Sequence, residues 1–411
     1  MINIAILGHG VVGSGVAEVL EKNKTHISTK AKNEINIKSI LDLREFPDLD
    51  YSNKFTKNFN DILEDDSIKV VAEVMGGINP AYEYVKACLA KGKSVVTSNK
   101  ELVAQKGDEL LKIALENNVN FLFEASVGGG IPVLRPISQC LAANDLYEIV
   151  GILNGTSNFI LSKMIDEKMS MEDALSLAQK LGYAEKDPSA DIDGHDACRK
   201  ICILASLAFG KHIYPSQVST EGIRNITLSD VEYADSCNRV IKLIGKTKLV
   251  NNKTVIAAVY PALVSRDNQL SSVNGVFNAI MVKGDAIGDV MFYGQGAGKL
   301  PTASAVVADI IDCVKHLQAR KYLFWDSAVD NYVSDSLEDT VKLYVRAQAD
   351  DITKALDEIN AVFGNAECLN RNNQAKDELA FITPASSDRK LRQQISKLQK
   401  SKAVSILHII D

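Results

Sequence analysis

The chain of 411 residues has seven cysteines and no CxxC pair, and Cys198 and Cys202, four apart, lie in an apolar helical context. So sparse a set excludes a disulfide framework and a cysteine-ligated zinc site, and predicts reduced thiols in a cytoplasmic setting. No apolar run reaches the length of a membrane span. No signal peptide fits, because a strand begins at Ile2 and meets glycine by Gly8. The net charge is −6, and no Lys/Arg cluster is dense enough for a nucleic-acid face. The most basic segment, Arg389, Lys390 and Arg392 followed by Lys397, Lys400 and Lys402, has the spacing of one solvated face of a short helix. The acids at Glu185, Asp187, Asp191, Asp193 and Asp196 fail the EF-hand template. Counted to Gly194, its first and twelfth positions fall on Ser189 and Lys200.

What is present is a globular composition, 46 % hydrophobic and 24 % charged, in a chain long enough for two or three domains. Through residue 133, apolar β-branched runs alternate with helical periodicity: strands at 2–7, 35–41, 68–77, 94–99 and 119–126, with helices at 80–91 and 101–117. That alternation predicts an α/β doubly wound parallel sheet. Strands at 146–153, 254–260, 276–282 and 286–292 belong to a second, α+β domain, interrupted by helices between 157 and 249. A helix at 300–317 carries Pro301 near its start. From residue 338 the pattern is βαββαβ, a small split βαβ module of the ferredoxin-like kind.

Gly8, Gly10 and Gly13 form a GxGxxG that follows a strand and opens a helix, with Val11 and Val12 at the helix start. In that context the loop predicts dinucleotide binding. Gly8 makes the turn, Gly10 admits the pyrophosphate, and Gly13 seats the helix on the strand. Asp42 ends the second strand, where a carboxylate takes ribose hydroxyls and repels a 2′-phosphate. Arg44, two residues on, could instead meet that phosphate, so both NAD and NADP stand, with the lean to NAD.

A nicotinamide enzyme acting on an alcohol must also move the hydroxyl proton. Two lysines are candidates. Lys100 follows the strand at 94–99, at the carboxyl edge of the parallel sheet where ligands bind. Lys200 follows Asp196 by four on one helix face. From spacing alone, an exposed ion pair is the better reading of Asp196 and Lys200.

The segments LGYAEKDPSADIDGHDACRK (181–200), VVTSNKELVA (95–104), FEASVGGGIPV (123–133), GILNGTSNFIL (151–161) and FYGQGAGKLPTASAVVADI (292–310) together resemble homoserine dehydrogenases, over about residues 1–325. The C-terminal module resembles an ACT domain. The resemblance implies NAD(P)-dependent interconversion of L-aspartate 4-semialdehyde and L-homoserine, on the route to threonine and methionine. It implies a Rossmann-type cofactor domain at 1–133 with 298–325, a substrate and dimerisation domain at 134–297, and an ACT-like regulatory domain at 338–411. Asp196 and Lys200 then become a catalytic pair, Lys100 a second essential lysine, and Glu185 and Asp191 the acids for the substrate ammonium. Gly155, Thr156 and Tyr183 flank the substrate. Met75, Gly76, Thr97, Lys100 and Gly298 join the glycine loop in holding the cofactor. Glu124, with the carbonyls of Val127, Gly129 and Ile131, matches a monovalent-cation site, typically sodium.

Two departures bear on this reading. Leu41 stands where many members have an NADP-favouring arginine. The module reads QADDITKAL where ACT domains carry Pro-Gly, which leaves amino-acid effector binding and assembly into a homodimer or larger oligomer as alternative roles. An inactive nucleotide- and amino-acid-sensing protein, or another NAD(P) oxidoreductase acting on an amino acid, would share the glycine loop. Neither needs Lys100, Glu185, Asp196 and Lys200 together. A phosphorylating aldehyde dehydrogenase would need a nucleophilic cysteine, and none has a convincing setting.

Overall fold

The computed structural model describes residues 1–251, 253–319 and 323–411; residues 320–322, near the end of the predicted 298–325 segment, lie outside it. By contact density the chain forms two compact units. The first comprises Met1–Tyr147, Cys202–Pro215 and Val282–Asp330. Its strands are β1 (Ile2–Leu7), β2 (Ile35–Leu41), β3 (Phe55–Thr56), β4 (Ile68–Glu73), β5 (Ser94–Thr97) and β6 (Phe121–Leu122). They form one parallel sheet in the order β3-β2-β1-β4-β5-β6. The expected doubly wound sheet is therefore present. Ile4 to Leu7 and Val70 to Ala72 are fully buried, as strands covered on both faces must be, and this is why they read as continuous apolar runs.

The helices α1 (Val11–Lys22), α2 (Ala81–Ala90) and α3 (Lys100–Glu116) connect the strands. Helix Lys299–Lys315, with Pro301 in its first turn, packs on α1. A Cβ at Gly15 would lie 2.9 Å from the Lys299 carbonyl oxygen and 3.0 Å from Ala303 Cβ, so the glycine is what lets the two helices approach. The strand expected over 119–126 stops at Leu122. The chain turns there into a 3-10 turn, Glu124–Ser126, closed by the Ser126 amide and hydroxyl donating to the Phe123 carbonyl.

The second unit comprises Glu148–Ile201, Ser216–Met281 and Asn331–Asp411. To it belong, wholly or in part, β7 (Leu146–Ile152), α4 (Gly155–Glu167), α5 (His195–Phe209), β8 (Arg239–Val250), β9 (Thr254–Ser265) and β10 (Phe277–Gly284). The C-terminal module follows: β11 (Leu343–Gln348), α6 (Ile352–Phe363), β12 (Glu367–Leu369), β13 (Glu378–Ile382), α7 (Asp388–Ser396) and β14 (Lys402–Ile410). These strands lie in one mixed sheet, in the order β10-β7-β8-β9-β14-β11-β13-β12. β14 pairs parallel with β9, Ala262 opposite His408, and antiparallel with β11. The module's sheet thus continues that of the rest of the unit, and the His408 ring stacks on Tyr260 with centroids 3.8 Å apart. The strand expected at 286–292 forms as Gly288–Gln295. Among the described residues no helix is long and apolar enough to cross a membrane, and no disulfide joins any of the seven cysteines.

One segment departs from the sequence reading. Residues 239–250, expected within a helical stretch, form β8, paired with β9 over twelve residues. Lys242 interrupts the apolar run and hides the strand. It is fully buried, and its ammonium donates to Val273 O at 2.5 Å, Asn274 Oδ1 at 2.9 Å and Asn158 Oδ1 at 3.3 Å. Burial pulls its pKa down to about 8. Replacing Lys242 by methionine keeps the bulk and strands three buried acceptors. We expect a loss of about 2 kcal/mol or more in urea unfolding, with an unchanged m-value; an unchanged midpoint would count against this assignment.

Candidate active site

On the first unit, the loop between β1 and α1 fits a pyrophosphate. Gly8 has φ +97°, a left-handed conformation that favours glycine. A Cβ at Gly13 would fall 2.0 Å from the Gly8 carbonyl oxygen, whereas a Cβ at Gly10 would meet nothing within 4 Å. The first position thus closes the turn and the second faces open space. No side chain caps α1, so its leading amides and dipole are presented to that space.

Asp42 is saturated by its own neighbours. Its carboxylate accepts from the His9 amide at 2.7 Å, the Arg44 amide at 3.0 Å, and Arg44 Nε and Nη2 at 3.0 and 2.9 Å. Arg44 holds the carboxyl well below the usual carboxylate range. A hollow of about 240 Å³ lined by Asp42, Arg44, Phe46 and Phe55 opens beside it. The buried His9 ring packs edge-on against Phe46 and Phe55.

The carboxyl edge of β4 and β5 carries a second cluster. Glu73, fully buried, accepts from Thr97 Oγ1 at 2.6 Å and from the Met75 and Gly76 amides at 2.8 and 3.3 Å. Burial raises its carboxyl above the ordinary range against these bonds. Asn99 caps α3 through the Leu102 amide and donates to the Gly77 carbonyl at 2.6 Å. Lys100 is thereby set at the first position of α3, half-buried. Glu73 and Asn99 escaped the sequence reading; an acid closing a buried strand, just before Met75-Gly76-Gly77, was the available signal. Gly298, at φ +123°, sits exposed ahead of helix Lys299–Lys315.

On the second unit, the charged turn resolves into a compact group. Lys200 and Asp196 are only 6 % and 3 % exposed, so the reading of an exposed surface pair fails. Lys200 Nζ reaches Asp196 Oδ2 at 2.7 Å and donates to the Leu153 carbonyl at 2.7 Å. Asn154 donates to Asp191 Oδ1 at 2.6 Å and to Asp196 Oδ2 at 2.9 Å. Burial raises the Asp191 carboxyl; Asn154 opposes the rise, Asp196 adds to it and Lys200 relieves it. The Gly155-Thr156 turn lies alongside, where the Val276 carbonyl leaves no room for a Cβ on Gly155 (2.7 Å), and Thr156 Oγ1 donates to the Tyr183 carbonyl at 2.6 Å. Glu185 and Tyr183 stand exposed at the rim, and the Glu185 carbonyl accepts from Gln179. The structure brings Asp191, Asp196 and Lys200 together and leaves the Glu185 side chain outside that group. The Asp193 carboxylate is taken by both arms of Arg224.

Comparison with known proteins bears on what these clusters serve. Residues 132–311 match the family model for homoserine dehydrogenase, and residues 8–124 match that of the homoserine dehydrogenase NAD binding domain. The Neisseria gonorrhoeae homoserine dehydrogenase is 37 % identical over 414 aligned residues, covering 97 % of this chain and 95 % of that protein. The Lactococcus lactis enzyme is 42 % identical over 76 % of this chain and 74 % of its own length. The chain belongs to the homoserine dehydrogenase family. The crystal structure of a Thiobacillus denitrificans homoserine dehydrogenase superposes with a TM-score of 0.90 at 33 % identity, covering 100 % of this chain and 98 % of the other. A hyperthermophilic archaeal homoserine dehydrogenase mutant in complex with NADPH superposes at 0.64, at 30 % identity over 76 % of this chain and 97 % of the other. The protein is an oxidoreductase of the homoserine dehydrogenase type with a nicotinamide-dinucleotide-binding domain, and the open Gly10 loop has the shape such a group requires.

Two glycine variants separate folding from binding. Gly13→Ala collides with backbone, and we expect both thermal stability and dinucleotide binding to fall. Gly10→Ala meets nothing in the unliganded loop, so the melting temperature should hold while affinity drops by about tenfold or more in a fluorescence titration. Unchanged affinity in Gly10→Ala would show that the dinucleotide does not approach this loop.

Proposed function

We propose that homoserine oxidation in this dehydrogenase runs on the buried Lys200–Asp196 pair. The carrying observation is that pair itself: an ammonium held in a nearly closed site by one carboxylate and one carbonyl. A bound nicotinamide accepts or returns the hydride. The chain's own residues handle charge and the proton. Asp191, with Glu185 at the rim, receives the substrate ammonium, and the Gly155-Thr156 turn and Tyr183 flank it. In its neutral form Lys200 takes the hydroxyl proton as the carbonyl forms, and returns it in the reductive direction. Asp196 orients Lys200, and Lys100, at the head of α3, is the second essential lysine of this proposal.

The Asp42 environment supports the preference for NAD. A carboxylate whose ionised form is favoured by Arg44 stands beside the hollow lined by Phe46 and Phe55, and Arg44 is turned onto that carboxylate. Loop 124–131 is the proposed monovalent-cation site. Glu124 is buried and its two oxygens accept from the Val133, Leu134 and Arg135 amides at 2.6 to 2.8 Å, and Gly129 in the same loop has φ +56°. One carboxylate and three carbonyls suit a hard cation such as sodium.

The same reading divides the chain into a cofactor segment (1–133 with 298–325), a substrate and dimerisation segment (134–297) and an ACT-like C-terminal module (338–411). It places a cytoplasmic homo-oligomer in threonine and methionine biosynthesis. The module's βαββαβ order and its 14-11-13-12 strand arrangement support the ACT likeness. An amino-acid effector and subunit assembly are the two roles it would serve.

Absorbance of the reduced nicotinamide, followed with L-homoserine and each dinucleotide, tests these points. We expect kcat/KM to be higher with NAD than with NADP, and Arg44→Ala to widen the gap. Lys200→Met should lower kcat by about 10²–10⁴-fold; normal turnover in that variant removes Lys200 from the mechanism. Replacing sodium chloride by choline chloride should lower the melting temperature, and adding sodium back should restore it.

A further inference from the structure

Lys200 is anchored on Asp196 Oδ2 and on the Leu153 carbonyl oxygen, each at 2.7 Å. Each anchor accepts a second hydrogen bond from a buried asparagine. Asn154 Nδ2 donates to Asp196 Oδ2 at 2.9 Å, and Asn278 Nδ2 donates to Leu153 O at 2.9 Å. The asparagines are 5 % and 1 % exposed. They come from different elements: Asn154 caps α4 through the Ser157 amide, and Asn278 lies on β10.

We infer that Asn154 and Asn278 are positioning residues that fix Lys200 by holding its two anchors. This rests on the proton-handling role given to Lys200 above. A carbonyl or carboxylate oxygen has two acceptor directions. With one direction taken by an asparagine amide, the other is left to the ammonium, and the lysine head has one geometry in place of several. Precise placement of a proton-transfer group is where small displacements are most costly to rate. Asn154 carries a second duty, since its other N–H goes to Asp191 and ties the ammonium-binding acid to the same frame.

Asn278 supplies an independent sign of purpose. Its Oδ1 is buried and has no hydrogen-bond partner among the described residues. That atom lies on the side of the Gly155 turn, 3.5 Å from where a Cβ on Gly155 would stand. An orphaned buried acceptor is unfavourable, so leucine, of similar size, would be the more stable occupant. An asparagine here serves the bond its Nδ2 makes to Leu153, at the expense of its Oδ1.

The test uses the full-length protein and three variants. Asn278→Leu removes the donor and the orphaned acceptor together. We expect an equal or higher melting temperature, unchanged dinucleotide affinity, a homoserine KM within about threefold, and a kcat lower by about tenfold or more. Asn154→Ser keeps an oxygen to cap α4 and loses both donated bonds; kcat should fall and the homoserine KM should rise, because Asp191 is released as well. Lys200→Met is the control. If it keeps turnover, the role of Lys200 is wrong and the proposal falls with it. If it is inactive while Asn278→Leu and Asn154→Ser turn over normally, the role stands and the positioning claim is overturned. Should Asn278→Leu not fold, the kcat of Asn154→Ser decides alone.

Discussion

The charge on Lys200 is the constraint to which the second unit answers. An ammonium almost out of reach of water is tolerated only when paired and hydrogen-bonded. Its carboxylate comes from one turn earlier on the same helix, and its carbonyl from the end of β7, more than forty residues away in sequence. A helix, a strand end and the N-cap of α4 must therefore meet at one point. Gly155 is part of the same requirement, because the Val276 carbonyl occupies the space a side chain would need. Asp191 sits in this frame with its charge disfavoured by burial and by Asp196. That is the state from which a carboxylate gains most on meeting a substrate ammonium.

The first unit follows a different logic. At the carboxyl edge of its sheet, polar groups settle backbone. Glu73 latches the Met75-Gly76 turn, Asn99 ties Gly77 to the head of α3, and the His9 amide reaches Asp42. Each fixes a short segment at the carboxyl edge of the parallel sheet, where α/β folds of this order bind their ligands. Dinucleotide binding is thus prepared by rigid main chain, and the proton chemistry proposed for Lys200 would be prepared by side chains buried with their charges paired.

Much of the parallel sheet was legible in the sequence, because a strand buried on both faces must be apolar throughout and glycine spacing has few other causes. The pairing of Asp196 with Lys200 was legible as spacing, but its burial was not. Periodicity gives the face of a helix and says nothing of what covers it; motif resemblance had to supply that. Strand β8 was lost because Lys242 broke its apolar run, and the acceptors that satisfy that lysine come from α4 and the loop after residue 272. Asn154 lies in the GILNGTSNFIL segment, and the sequence singled it out for no role. Its two donated bonds depend on acids 37 and 42 residues further along, a coincidence that no local pattern carries. Glu185 shows the opposite case: the motif singled it out, and the folded chain leaves it at the exposed rim.

The insertion of β14 between β9 and β11 has a consequence for how the protein is made. Ala262 on β9 waits for His408, so the strand beside it leaves the ribosome about 140 residues later. At synthesis rates of about 5–20 residues per second, the Ala262–Val264 end of β9 spends many seconds with one edge unpaired, while Ala258 and Val259 can already pair with Ser219 and Thr220. During that interval its backbone donors and acceptors are open to any other extended segment, including the same strand of a neighbouring nascent chain. Crowded translation is then a condition under which this end of the sheet is exposed to mispairing.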